Sequence, residues 1–288
     1  MFAAMRHSLR AIGRLLKNPR MTIGFALLLL LLGIGVIGPA FVDVSKADPI
    51  SVRTNQPPST AHPLGTDSGG RELLAVIVAG TPQTLRMGVL AGVLGVVVGV
   101  ALGLVSGYFG GWVDRAISAV TDTMLTIPPL AILLVIAASV RAVNVDMLAV
   151  IIASLSWMYA TRVVRAQVLT LREQMYVQMA RLSGMRHFSI IFREILPNVI
   201  PIAFASMVGA ISAAILSGIG IEVLGLGPQD TPTLGMTIYW ALLYSAFSRG
   251  MWWWWLPPII VLMLLFISLF LISSALDDVA NPRLRRST

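Results

Sequence analysis

Cysteine is absent from the 288 residues, and histidine occurs only three times. The first absence excludes disulfides, thiolate metal sites and iron–sulfur ligation, and leaves the redox compartment open. His7, His62 and His187 are too scattered along the chain to share one metal site. Charge is scarce as well. Asp, Glu, Lys and Arg make up 12% of the residues, about half of the roughly 25% usual in soluble domains. The phosphate-binding pattern GxxxxGK[ST] is missing; the nearest stretch, Gly65-Thr-Asp-Ser-Gly-Gly-Arg71, lacks its Lys-Ser/Thr end. HExxH and GxSxG are missing too. The chain is therefore expected to be no enzyme by itself, with no catalytic residue, metal or cofactor of its own.

What fills the sequence is apolar surface. Hydrophobic residues reach 57% and the mean hydropathy is +0.84. Those values exclude a disordered chain and point to an all-α polytopic membrane protein. Six stretches are long enough to cross about 30 Å of hydrocarbon: 22–42, 86–107, 117–140, 147–166, 199–221 and 256–276. The third opens on the polar run Ser118, Thr121, Asp122, Thr123. The first exceeds the 7–15 residues of a signal core, and no small-x-small cleavage site follows, so it reads as a retained helix.

Six spans put both termini on one side. With that side cytoplasmic, 15 Lys and Arg face the cytoplasm and 6 face outward, as the positive-inside rule requires. The expected organisation is a basic cytoplasmic tail at 1–21, a first transmembrane helix at 22–42, and an extracytoplasmic loop at 43–85 rich in Pro, Ser, Thr and Asp. A transmembrane core at 86–276 follows, with a basic cytoplasmic segment at 167–198 inside it, and then a cytoplasmic tail at 277–288.

Small residues recur every four positions in two spans. Ala91, Gly95, Gly99, Gly103 and Gly107 form one row; Ala205, Gly209, Ala213 and Ser217 form the other. Four-residue spacing places each row on one helix face, where another helix can approach closely. Gly95, Gly99, Gly103, Gly107 and Gly209 are accordingly candidates for helix packing. Ionisable groups near the spans are few: Asp122, Arg162 and Glu222. Such groups face a cavity, a partner or the interface. Asp122 and Glu222, with Ser154 and Trp157 from the polar part of the fourth span, are candidates for lining a substrate path. A proton-coupled carrier would place acidic groups in mid-span, and none lies there. The run Trp252–Trp255 suits a membrane interface.

The segment from Glu173 to Asn198 holds two short helical patterns on either side of Gly184. In the first, Tyr176, Met179, Ala180 and Ser183 share one helix face. Gly184 permits the left-handed turn that ends it. The second runs over 188–195, and Pro197 suits the start of the next span. A short helix held between two spans can act as a rigid lever; an amphipathic loop on lipid headgroups is the plainer alternative.

This segment resembles the EAA loop of permease subunits in bacterial ABC importers. Gln178, Met179 and Ala180 stand in the triplet, and Gly184 and Leu196-Pro197 follow at the expected spacing. Lys17-Asn-Pro, His62-Pro-Leu-Gly-Thr-Asp67, Gly70-Arg71-Glu72, Leu224-Gly-Leu-Gly227 and the tail from Leu276 to Arg285 resemble the dipeptide/oligopeptide/nickel permeases, specifically their second, C-type subunit. The acidic residue of that pattern nine positions before Gly227 is Gly218 here, with Glu222 one helical turn on.

The resemblance implies a type I ABC importer permease fold in the bacterial inner membrane. It implies as partners a homologous B-type permease, two cytoplasmic ATPases that bind ATP and Mg, and an extracytoplasmic substrate-binding protein; no nucleic acid is involved. It implies import of di- or oligopeptides, with nickel or a metal chelate as the alternative. The residues it places at the ATPase contact are Tyr176, Met179, Ala180, Arg181, Gly184, Met185, Phe188 and Phe192.

Overall fold

The computed structural model describes residues 18–140 and 142–280, with side chains to 276. Arg6, Arg10, Arg14, Lys17, Arg283, Arg285 and Arg286, which weigh in the charge asymmetry, lie outside the described residues. Among the described residues the regular structure is helical, apart from one isolated antiparallel bridge between Thr66 and Glu72. The helices are α1 (Pro19–Ile37), α2 (Leu73–Phe109), α3 (Gly111–Thr126), α4 (Pro129–Ala138), α5 (Val145–Arg172), α6 (Met175–Leu182), α7 (His187–Ile190), α8 (Leu196–Val223), α9 (Leu234–Leu243) and α10 (Trp252–Ala280). Among the described residues five helices are long and apolar enough to cross a membrane, or six if the bent pair α3–α4 is one span.

Local chemistry explains the boundaries. Asn18 caps α1, its side chain accepting from the Arg20 N–H at 3.0 Å, and Pro19 opens the helix where a missing N–H costs nothing. At about 1.5 Å per residue its 19 residues match the hydrocarbon thickness. Gly24 lets α1 approach α10, where an added Cβ would meet the Ser268 carbonyl at 2.9 Å.

The helix that carries the second expected span begins at Leu73, ahead of the 86 expected for the span itself. Pro82 and its polar neighbours interrupt the hydropathy, yet the helix continues through them: the Thr81 hydroxyl donates to the Ile77 carbonyl at 2.7 Å, and the Pro82 ring packs on Gly35 of α1. The resulting 37 residues make a rod of about 55 Å, longer than the hydrocarbon. Arg86 of α2 pairs with Asp146 at the start of α5 at 2.7 Å.

The third span is broken. α3 and α4 meet at 84°, because Pro128 and Pro129 both deny the helix an N–H and restrict the residue before each. The fifth span, by contrast, is longer than expected. From His187 the chain runs through a π turn at Ile191–Ile195 directly into α8, so Pro197 continues a helix instead of starting one.

α2 is the central element. One face meets α5: an added Cβ would strike Ser156 from Gly95, Ala160 from Gly99 at 2.6 Å, Val164 from Gly103 at 2.8 Å and Val168 from Gly107 at 2.7 Å. Four-residue rows on both helices interdigitate along this seam. A second face meets α8 through Gly88 and Gly92, against Ile215 and Ile211.

Outside the membrane level, residues 38–72 fold over the end of α2. The buried Glu72 carboxylate pairs with Lys46 at 3.6 Å, and the His62 ring lies beside it at 3.7 Å, so three parts of the loop meet there. The buried Asp67 accepts from the Arg71 N–H at 2.8 Å, and desolvation raises its carboxyl above the usual range. The tryptophan run is only in part an interfacial belt. Trp252 is half exposed, but Trp254 is fully buried among Leu73, Ala241, Ala246 and Met251.

Candidate coupling element and translocation face

At the opposite end of the molecule α5 passes through Glu173-Gln174 into α6, eight residues long. Val177 anchors α6. It is fully buried in a cluster with Leu104, Tyr108, Val164, Val168, Ile190, Ile191, Ile195 and Val199, which joins α2, α5, α6 and α8. Gly184 then closes the helix. Its φ is +74°, the Gly184 N–H donates to Arg181 at 3.0 Å and the Met185 N–H to Ala180 at 3.1 Å. This is the Schellman closure, and Ala180 and Met185 both pack on the same apolar cluster.

The anticipated coupling residues divide into two sets. Met179, Phe188 and Phe192 are 57%, 68% and 60% exposed, and Tyr176 stands at the edge of the same surface. Ala180 and Met185 instead turn inward to hold the element in place. The Arg181 guanidinium lies over the Tyr108 ring at 5.0 Å. The Tyr176 hydroxyl accepts from Asn198 at 3.3 Å, and burial, with the charge of Glu194, raises its ionisation above the ordinary tyrosine value. Two strongly exposed members, Met175 and Leu182, are not among the residues the sequence pointed to. Their apolar character at solvent-facing positions was the available signal. Buried Val177 fixes the inward direction, and the outer surface is an apolar patch rimmed by exposed Arg186 and Arg193.

The anticipated path residues fall in three places. Asp122 pairs with Arg162 across α3 and α5, beside a polar notch of about 90 Å³ that also includes Ser118, Thr121 and Arg165. A companion pair lies deeper: Asp114 receives Arg165 through two hydrogen bonds of 2.5 and 2.7 Å, and Ser106 as well. Ser154 and Trp157 satisfy α5 itself, the indole donating to the Ser154 carbonyl at 2.8 Å and the Ser154 hydroxyl to Ile151 at 2.6 Å. Glu222 lies apart from both. It is fully buried, wedged against Gly227 and Gly235 where α9 begins.

An apolar cavity of about 340 Å³ lies between α4, α5 and α8. Pro129, Leu133, Ser156, Tyr159, Gly209, Ala213 and Ser217 line it. Gly209, expected to pack a neighbouring helix, has no atom within 4 Å of the place a Cβ would take. The bend at Pro128-Pro129 turns α4 aside, and the small-residue row of α8 faces the space this leaves.

Residues 99–286 match the family described as binding-protein-dependent transport system inner membrane component. The chain is 31% identical over 217 residues to the oligopeptide transport system permease protein OppC of Mycobacterium bovis, with 75% of each chain covered. It is 30% identical over 250 residues to the dipeptide transport system permease protein DppC of Alkalihalophilus pseudofirmus, covering 83% of this chain and 82% of that one. Against OppC of Lactococcus lactis subsp. cremoris the identity is 32% over 199 residues, covering 69% and 66%.

Proposed function

The chain belongs to the family of binding-protein-dependent transport system inner membrane components, and from that premise we propose that it forms half of the translocation path of an ATP-driven peptide importer. It is a multi-pass inner-membrane transport subunit, and ATP hydrolysis belongs to partner subunits. Relatives named for oligopeptide and dipeptide transport support a peptide substrate; none of these names favours nickel. The observation that carries the mechanism is the apolar outer surface of α6 and α7, formed by Met175, Met179, Leu182 and Phe188, on an element locked from beneath by Val177. Such a surface suits a groove on a soluble motor. The apolar contact supplies affinity and the buried anchor supplies stiffness.

In this reading a homologous B-type permease completes the path, two cytoplasmic ATPases hold ATP and Mg, and an extracytoplasmic binding protein delivers the peptide. Closure of the ATPases on ATP moves the two docking elements together. The attached helices then turn the path outward, and hydrolysis resets it. The cavity between α4, α5 and α8 is the part of the path this chain contributes. Its apolar, weakly specific lining suits peptides that vary in side chain, which leaves selection to the binding protein.

Uptake of labelled di-, tri- and pentapeptides and of nickel, in cells lacking the gene and in complemented cells, tests the reading. Loss of peptide uptake alone is expected, with the length series setting the substrate class. Loss of nickel uptake alone overturns the peptide assignment.

A further inference from the structure

We infer that Tyr108 is a positioning residue that mounts the ATPase-docking element on the end of α2, so that the stroke reaches the glycine-ladder helix as well as α5 and α8. The inference rests on the docking role proposed above for α6 and α7.

The docking element is covalently joined to α5 on one side and to α8 on the other. Its attachment to α2 is noncovalent: Val177 packs with Leu104 and Tyr108, and the directional contacts converge on the Tyr108 ring. Tyr108 stands in the last turn of α2 and is 5% exposed. Its hydroxyl shares a hydrogen bond with His187 Nδ1 at 2.9 Å. The Arg181 guanidinium lies over its face at 5.0 Å. The His187 ring meets it edge-on at 5.7 Å. Arg181 belongs to the last turn of α6 and His187 opens α7, so the ring clasps both sides of the Gly184 turn. Beside it Arg172, the last residue of α5, donates to the Gly107 carbonyl at 3.0 Å. The end of α2 is thereby held from both directions.

The type of contact decides what it can transmit. The seam between α2 and α5 is lined by glycine and small apolar groups, and its polar ties, Arg86 to Asp146 and Arg172 to the Gly107 carbonyl, join α2 to α5 and not to α6 or α7. A hydrogen bond and a cation over a ring face are directional, and lose strength when either partner is displaced. Tyr108 therefore supplies a directional tie between the docking element and α2, which the non-directional apolar cluster around Val177 does not. α2 carries the displacement as one continuous helix from Phe109 back to Leu73. There it meets the extracytoplasmic loop anchored by Glu72 and Lys46, on the side where a binding protein approaches. A nucleotide-driven movement of α6 would thus reach that loop directly.

The test uses the whole importer in proteoliposomes and measures peptide imported per ATP hydrolysed. Tyr108→Leu should leave the subunits co-purifying and basal hydrolysis within twofold, while import per ATP falls at least fivefold. Tyr108→Phe, which keeps the ring under Arg181, should give a smaller loss of about twofold. Because the chain has no cysteine, a double variant Tyr108→Cys with His187→Cys can be bridged by a cleavable bis-maleimide. Bridging should restore coupling and cleavage should remove it. Unchanged coupling in Tyr108→Leu overturns the inference. So does a parallel fall of hydrolysis and import in proportion to assembled complex, which marks a merely structural ring. Met179→Arg with Phe188→Arg tests the docking role separately, by release of the ATPases. If the ATPases stay bound and coupled in that variant, the docking reading fails and this inference fails with it.

Discussion

Two rows of small residues with the same four-residue spacing end in opposite surroundings. Gly95, Gly99, Gly103 and Gly107 are closed against α5, each too tight for a Cβ. Gly209, Ala213 and Ser217 on α8 face an open cavity. The difference comes from elsewhere in the chain. α5 is a continuous 28-residue partner for the first row, while the span that could have covered the second is broken at Pro128-Pro129 and leaves the end of α3 and the ten-residue α4 beside the cavity. Spacing identifies a face without large side chains; the integrity of its neighbour determines whether that face becomes a seam or a wall of a cavity.

The same substitution in both rows should separate them most strongly. In Gly99→Leu the new Cβ meets the Ala160 Cβ at 2.6 Å and the Trp157 carbonyl at 2.7 Å. Backbone cannot yield as a flexible side chain can, so a loss of more than about 3 kcal/mol is expected, with little folded protein recovered from membranes. Gly209→Leu has open space around it, and replacing a helical glycine favours the helix by about 1 kcal/mol. Its melting temperature should hold or rise. The added side chain narrows the cavity, and peptide import should drop severalfold. Equal yields for the two variants would remove the distinction between seam and wall.

The two ion pairs between α3 and α5 repeat the contrast at smaller scale. Asp114 is largely buried and accepts from both Arg165 and Ser106. Removing it as Asp114→Ala leaves Arg165 partly buried without its counter-charge, and should cost about 2–3 kcal/mol. The Asp122–Arg162 pair is more than half exposed on both sides, and Asp122→Ala should change stability by about 0–1 kcal/mol. Thermal unfolding in detergent compares them. If Asp122 lines the aqueous path, its loss will register in import and leave the melting temperature nearly unchanged.

Helices were legible wherever some twenty apolar residues follow one another, and the ladder was legible from spacing. The start of α2 was hidden because Pro82, Gln83, Thr84 and Arg86 lower the hydropathy in the middle of a helix that packing on Gly35 sustains. The break in the third span did have a local signal, the Pro128-Pro129 pair, which the length of the apolar stretch outweighed. Glu222 looked accessible because it ends a span; its burial depends on Gly227 and Gly235 folding back over it. Tyr108 and His187 are 79 positions apart, and no pattern within either neighbourhood connects them. Local chemistry thus predicts elements and faces, while the partner of each face depends on chain geometry far away.

Gly184 sharpens the comparison from a different direction, because its restriction is conformational where that of the ladder is steric. Nothing lies within 4 Å of an added Cβ, yet φ is +74°. A side chain there costs about 1–2 kcal/mol through the left-handed backbone alone. Gly184→Val should leave the protein inserted but release the Schellman closure, and ATP hydrolysis should continue without import. Gly184→Asn, which tolerates this region better, should retain intermediate coupling. Normal uptake in the valine variant would detach the turn from the lever.

The smallest effect expected lies in the loop at 38–72, where closure depends on charge. Asp67 is buried and its carboxyl is raised chiefly by desolvation, against the opposing hydrogen bond and charge of Arg71. Below the unfolded value of about 3.9 the carboxyl is protonated in both states and contributes no difference. As pH rises from there through the raised folded value, the unfolded chain releases its proton first, so stability falls across that window and stays at its lower level above it. Asp67→Asn keeps the oxygen that accepts from the Arg71 N–H and removes the titration. Its melting temperature should equal the parent's at acid pH, exceed it slightly at pH 7 by less than the Gly184 variants shift theirs, and lack the parent's decline between. A decline that persists in the asparagine variant would assign the pH dependence to another group; a loss of stability at pH 7 would mean that the charge on Asp67 holds the loop more strongly than burial opposes it.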